Sequence, residues 1–280
     1  MNSRSDAFQE RTEAAADFVA PAHAAGLSAT LDYPTPPREG DALPPLWHWI
    51  FFRPLIAQSL IAEDGHPQKG DFLPDLGLPR RMWAGGRLRF KSPIVVGKPI
   101  SRESRILDVA EKQGRTGRLG FVTVAHHISC DGVSAIEEEH DIVYREPAAP
   151  GAPLPAPMAA LREAEWQRTV RPDEVLLFRY SALTFNGHRI HYDKPYVTEV
   201  EGYPGLVVHG PLIATLLLDL VRRQRPDGRV VEFAFKAIRP CFAGNALHLR
   251  GKPSADGNTV ELWSQDHEGW IGMTARATLA

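Results

Sequence analysis

FRYSALTFNGHRIHYDKPYVTEVEGYPGLVVHGPLIATLLLDLVRRQ, residues 178–224, sets groups that can move protons just ahead of an apolar helix. The polar cluster Asn186-Gly187-His188-Arg189-Ile190-His191-Tyr192-Asp193 comes first, and a loop with Gly202 and Gly205 follows. His209-Gly210-Pro211 then opens the apolar run. Proline near the first helical position, with Arg222 and Arg223 in the last turn, predicts a helix over Pro211–Gln224. Its N-terminus offers unpaired backbone N–H groups and the positive end of a dipole. A general base beside such an oxyanion site suits chemistry next to a thioester carbonyl.

Outward from this stretch, the chain divides at Pro147–Pro157, PAAPGAPLPAP, where five of eleven residues are proline. Such a run is a semi-extended linker. The expected division is 1–146, the linker 147–157, and 158–280. Before the linker, strand-like alternation covers Trp83–Phe90, Ile100–Gln113, Arg118–Cys130 and Ser134–Arg145. Turn signals separate these strands at Pro93 with Gly97, at Gly114-Arg115-Thr116-Gly117, and at Asp131-Gly132. Upstream, the alanine-rich residues 7–29 predict one or two helices, and Leu46–Ile61 reads as a buried aromatic segment. Gln68–Arg81 reads as loop. After the linker, Ala159–Arg168 predicts a short helix. Strands are expected at Val230–Ile238, Ala246–Lys252, Thr259–Gln265 and Trp270–Ala277. Both halves thus follow one plan, a helix-forming or apolar segment and then about four antiparallel strands. This α+β pattern fits a hot-dog fold used twice, with each sheet wrapped on a central helix.

Bulk properties exclude several classes. A net charge of −2, from 32 basic and 34 acidic residues, gives no electrostatic footprint for nucleic acid. Two cysteines, Cys130 and Cys241, make neither a disulfide framework nor a metal-ligand pattern. The first residues lack the apolar core of a signal peptide. The longest apolar run, Leu206–Leu220, is interrupted by His209, Pro211 and Asp219 and is too short to span a bilayer. A cytoplasmic protein without membrane or nucleic-acid partners is the expectation. His126-His127 alternate across a strand and cannot share a site, so no metal is expected. Gly114–Gly117 lacks the lysine and following helix of a phosphate loop, and no G-x-S-x-G elbow is present.

Residues 186–191 and 209–212 carry a family resemblance. The hydratase-2, or MaoC-like, dehydratases have D-x-N-P-L-H followed by a loop and H-G-M-L on a helix. Here Asn186 and His191 take the first and last positions, and His209-Gly210-Pro211-Leu212 the second half. Asn186 stands in place of the aspartate, and His188-Arg189 in place of Asn-Pro. The form F-N-x-H-R-I-H-Y-D resembles the branch of mitochondrial-type 3-hydroxyacyl-thioester dehydratases and of mesaconyl-C4-CoA and itaconyl-CoA hydratases. Pro79–Gly86 and Ile142–Glu146 are similar to that branch's N-terminal domain. The resemblance independently implies a double hot-dog.

Residue chemistry gives each position a role. His191 titrates near working pH and can take a proton from water. Asn186 can orient that water through its amide but cannot act as base. Gly210 would present its N–H to the thioester oxygen, since glycine permits close approach. His209 and Tyr192 flank these positions as substrate-binding candidates. Arg189 suits a substrate carboxylate or a CoA phosphate, while Asp193 suits pairing with Arg189 or Lys194. Arg80 and Arg81 suit the CoA phosphates. The resemblance implies a hydro-lyase adding water to a short 2,3-enoyl-CoA, with mesaconyl-C4-CoA or itaconyl-CoA first. A 3-hydroxyacyl-thioester dehydratase of fatty-acid synthesis is the alternative, followed by a hot-dog thioesterase or a non-catalytic acyl-CoA-binding module. The partner is an acyl-CoA, a homodimer is the expected assembly, and no cofactor is expected beyond the CoA of the substrate.

Overall fold

The computed structural model describes Phe8 and residues 11–114, 117–147, 154–160 and 163–280. Most of the proline-rich linker lies outside the described residues, as do Arg115 and Thr116 of the hairpin turn. Ten antiparallel strands form one sheet in the order β1-β3-β4-β5-β2-β7-β10-β9-β8-β6. The strands are β1 (Thr12–Phe18), β2 (Arg80–Phe90), β3 (Pro99–Gly114), β4 (Gly117–Cys130) and β5 (Val133–Arg145). The second half supplies β6 (Trp166–Val170), β7 (Val230–Ala237), β8 (Leu247–Pro253), β9 (Thr259–Gln265) and β10 (Ile271–Leu279). The helices are α1 (Pro21–Thr30), α2 (Glu174–Thr184) and α3 (Gly210–Gln224).

Alternation explains the strands. In β4 every second residue is buried from Gly120 to Ile128, which puts Val122 and Val124 inward beside Ile106 and Tyr144. The helix predicted over Pro211–Gln224 is α3, and it buries every residue from Leu212 to Val221. A helix that is apolar all round belongs inside a fold, and α3 packs on β8, β9, β10 and β6. Its one buried charge, Asp219, accepts from Arg223 Nε at 2.8 Å and from Arg168 and Tyr33. That network ties α3 to β6 and to the first half of the chain. In the first half α1 is shorter. Its Ala24 and Leu27 share the core with Trp47 and Ile50 of a 3₁₀ turn.

The halves join edge to edge where β2 pairs with β7, from Gly85↔Lys236 to Arg89↔Glu232. Gly85 makes this approach feasible. A Cβ there would lie 2.7 Å from the Phe235 carbonyl oxygen, inside van der Waals contact.

Two expected helices are strands. Thr12–Phe18, within the alanine-rich 7–29 stretch, pairs with β3, and only Pro21–Thr30 is helical. Trp166–Val170, at the end of the helix expected over Ala159–Arg168, pairs with β8. In both places pairing to a waiting sheet edge outweighs helix propensity, which amounts to tenths of a kcal/mol per residue, ~0 to 0.7. No helix among the described residues is long and apolar enough to cross a membrane.

Candidate active site

The polar cluster of the opening stretch forms the turn between α2 and α3. Asp173 caps α2 by accepting from the Leu176 N–H at 2.8 Å, and Phe185 ends the helix in the left-handed conformation at φ 52°. Asn186 then accepts from the His188 N–H at 3.0 Å through Oδ1, an Asx turn that starts the motif. One lone pair of that oxygen is thereby used, and the amide NH₂ has no protein acceptor among the described residues. Residues 189–191 make one 3₁₀ turn that places His191 against the start of α3.

His191 is buried at 7% exposure. Its Nδ1 donates to the Val207 carbonyl at 2.7 Å. A carbonyl accepts only, so Nδ1 carries the proton and Nε2 keeps its lone pair. Burial pushes the imidazole down to about 4, against the pull of the Val207 carbonyl. The neutral base is thus the resting form at physiological pH. The His209 ring stacks on it at 3.6 Å and 19° and is itself fixed by the Ser181 hydroxyl, 2.8 Å from Nε2. Burial holds His209 well below the ordinary histidine range, so the stacked partner is uncharged.

Gly210 is the first residue of α3, and no backbone acceptor among the described residues takes its N–H. The His191 imidazole stacks on the His209 ring, and Gly210 with its N–H follows His209 directly.

Other expected positions are already engaged. Arg189 forks to Asp193 Oδ2 through Nε at 2.9 Å and Nη2 at 2.7 Å, and it lies over the Tyr196 ring at 4.0 Å. Arg80 pairs with Glu201 at 2.9 Å and so spans the two halves. Tyr192 is half exposed and donates to the Gly187 carbonyl at 3.0 Å. Arg81 has no carboxylate partner among the described residues.

Sequence reading missed a contribution from the first half. The turn Glu63–Pro67 docks on the motif, with the Arg189 N–H donating to the Asp64 carbonyl at 2.9 Å. Asp64 Oδ2 holds His66 Nδ1 at 3.0 Å, and the His66 ring lies 4.0 Å from that of His188, which lies 5.4 Å from His191. Burial works to raise Asp64, but the hydrogen bonds and charge of His66 hold it low. Asp64, His66 and His188 are also the set of three among the described residues whose ligand atoms come within 4.8 Å of one another. The sequence signal was an Asp-Gly-His-Pro turn, too common to single out.

Gly65 makes the docking possible. Its φ is +89°, and an added Cβ would sit 1.8 Å from the Gly187 carbonyl oxygen. Gly65→Ala should therefore push the turn off the motif. An ångström of displacement in a site costs on the order of 10²-fold in rate, so turnover is expected to fall by about that much. Steady-state kinetics with a melting curve checks it, and a folded variant at wild-type rate would remove His66 from the site.

A cavity of about 180 Å³ opens beside these groups, lined by His66, Leu73, Arg81, Met82, Trp83, His140 and Ile142. The Trp83 backbone carbonyl lies near the start of α3, since a methyl on Gly210 would be 3.8 Å from its oxygen. The Trp83 ring rests 3.9 Å from His140. Beneath, the buried Glu138 accepts from His140 at 2.5 Å, Trp49 at 2.7 Å and His48 at 3.0 Å. His126 and His127 face opposite ways: the former is buried against Ser104 and His140, the latter is exposed and bonded to Ser134.

His191, Gly210 and the cavity-lining residues all fall in the part of the chain that a family profile matches. The profile of hydroxyacyl-thioester dehydratase type 2 matches residues 46–243, which contain all three. The chain belongs to the hydroxyacyl-thioester dehydratase type 2 family. It is 46% identical over 273 residues to a mesaconyl-C(4)-CoA hydratase of Chloroflexus aurantiacus, covering 96% of this chain and 95% of that protein. It is 26% identical to the mitochondrial hydroxyacyl-thioester dehydratase type 2 of Schizosaccharomyces pombe, covering 74% of this chain and 77% of that one. Among solved structures, a MaoC-like dehydratase from Phytophthora capsici superposes with a TM-score of 0.71 at 12% identity, over 98% of this chain and 96% of that chain. At that identity the likeness speaks for the fold alone, and the fold is the double hot-dog of MaoC-like dehydratases.

Proposed function

We propose that this family member hydrates a short 2,3-enoyl-CoA carrying a second carboxylate, with mesaconyl-C4-CoA as the first choice. The observation that carries the proposal is His191, whose Nδ1 proton is committed to Val207, leaving Nε2 unprotonated one residue-stack from a free helix N–H. Water would give its proton to His191 Nε2 as its oxygen bonds to the β carbon. The electron pair of the double bond would shift toward the thioester carbonyl, whose oxygen takes the growing charge and accepts a hydrogen bond from the Gly210 N–H. The imidazolium would then return the proton to the α carbon, so that one water is added and the base is restored. Asn186 would steer the water through its amide NH₂. Acid/base work and charge stabilisation both come from the chain, so the reading calls for no cofactor beyond the CoA of the substrate.

Two facts support a short acyl group. The relative that is 46% identical is named for mesaconyl-C(4)-CoA. The cavity of about 180 Å³ is well under the roughly 300–1,000 Å³ of sites for drug-sized ligands. The test is a panel of enoyl-CoAs, from four carbons to long chains, followed by loss of the conjugated-thioester absorbance with products weighed by mass spectrometry. Hydration of the C4–C5 dicarboxylic members well ahead of long neutral ones is the expected result. Release of free CoA without hydration would make the protein a thioesterase instead.

A further inference from the structure

We infer that Arg81 is the receptor for the free carboxylate of a dicarboxylic acyl thioester, and that it sets the preference for that substrate class. The inference rests on the hydratase reading and assigns a residue which that reading leaves open.

A buried or half-buried guanidinium normally has an acid beside it. Two arginines near this site do. Arg80 is neutralised by Glu201 and Arg189 by Asp193. Arg81, on β2, is half-buried on the wall of the cavity, and no carboxylate among the described residues pairs with it. Its charge is felt by its neighbours: after burial, it is the largest influence holding Lys69 down, and it also depresses His66. Lys69 itself donates to the Leu78 and Pro79 carbonyls at 2.7 Å each, so it neutralises nothing. Two acids face this spot. Asp64 is held by His66 Nδ1, and Asp75 accepts from the Gly77 N–H. Neither forms an ion pair with Arg81, and the cavity keeps one unmatched cation on its wall.

Position makes that cation useful. Met82 and Trp83 follow Arg81 on the same strand and line the same cavity, and the Trp83 carbonyl borders Gly210. His66, across the cavity, leads through His188 to His191. A thioester with its oxygen at the Gly210 N–H would send a short acyl group past the base into this cavity, toward Arg81. Guanidinium holds a carboxylate in two parallel hydrogen bonds, a geometry that fixes orientation as well as affinity. A neutral acyl group would leave the cation desolvated and unmatched, which is a penalty against it.

The test compares charged and neutral thioesters of one length. In the unaltered enzyme, succinyl-CoA should inhibit the hydration of crotonyl-CoA at least tenfold more strongly than butyryl-CoA does. Equal inhibition overturns the inference. Arg81→Met should lower kcat/KM for mesaconyl-C4-CoA on the order of 10²-fold more than for crotonyl-CoA, and should abolish the advantage of succinyl-CoA. Arg81→Lys keeps the charge and the stem, and should recover part of the preference. If both variants lose the two substrates in equal proportion, Arg81 is not the receptor. Calorimetric binding of succinyl-CoA against butyryl-CoA separates this from the hydratase reading. A wild type that hydrates no enoyl-CoA yet prefers succinyl-CoA sinks that reading and leaves the carboxylate site standing.

Discussion

His191→Ala should lower kcat by about 10²–10⁴-fold, the usual worth of a positioned acid/base. Among the described residues the His191 imidazole has one hydrogen bond, from Nδ1 to Val207, and the ring covers His209. Removing it leaves the Gly210 N–H and the cavity wall in place, so substrate should still bind and KM should change much less than kcat. His191→Gln tests the tautomer. Its amide nitrogen can still donate to Val207, but no basic atom remains where Nε2 stood, so the rate should stay low. The acid limb of kcat/KM in the wild type should lie near pH 4 and not near 6.5, because burial depresses this imidazole. Wild-type-like turnover in a folded His191→Ala protein would move the base elsewhere, and His66 would be the next candidate.

Stability should fall steadily as pH drops from about 6.5 toward 4. Burial lowers His191 to about 4 and both His126 and His188 to about 2, and it also depresses His66 and His209. An unfolded histidine titrates near 6.5. Between the folded and unfolded values the unfolded chain holds more protons, so stability rises with pH in that window. The contribution is fully present above about 6.5 and drains away as pH falls toward the folded values. Each such group adds at most about 1.4 kcal/mol per pH unit, so three together reach about 4 kcal/mol per unit. A domain's whole stability is roughly 5–15 kcal/mol, so a loss of this size over one or two units is a large share of it. Glu138 and Asp64 are lowered too, but from a carboxylate's ordinary value: despite burial, their histidine partners hold both carboxyls low, so they lose their contribution only at lower pH. The interval from 6.5 to 5 therefore isolates the histidines. Melting temperature measured across that interval should be level above it and fall steeply within it. A flat profile from pH 7 to 5 would show that these rings are solvated in the folded protein.

What could be read from the chain was what depends on local pattern. Val122 and Val124 alternate with exposed neighbours, and the Leu212–Val221 run can only lie inside, so the strands and α3 fell out of periodicity. The closeness of His191 to the start of α3 was legible because motif and helix start are close in sequence. Thr12–Phe18 and Trp166–Val170 were not, because alanine content or a short window points to helix while β3 and β8 offer edges to pair with. Arg189 illustrates another limit. Its spacing from His191 is local information, but its engagement by Asp193 is a matter of rotamer and turn geometry. Arg81, His66 and Trp83 lie more than 100 residues from His191 in sequence, and only the joining of β2 to β7 with the docked Glu63–Pro67 turn brings them to one cavity.

The β2–β7 ladder also limits how the gene can be cut. The first half alone would end in β2 with a free edge from Gly85 to Arg89, and the second alone in β7 with the matching edge. Open ladders of that kind recruit any available strand. Two separately made halves would thus reach each other in competition with their own aggregation, and neither would hold both His191 and the Arg81 cavity. A sheet that runs unbroken through both hot-dogs needs one chain to bring its seam together.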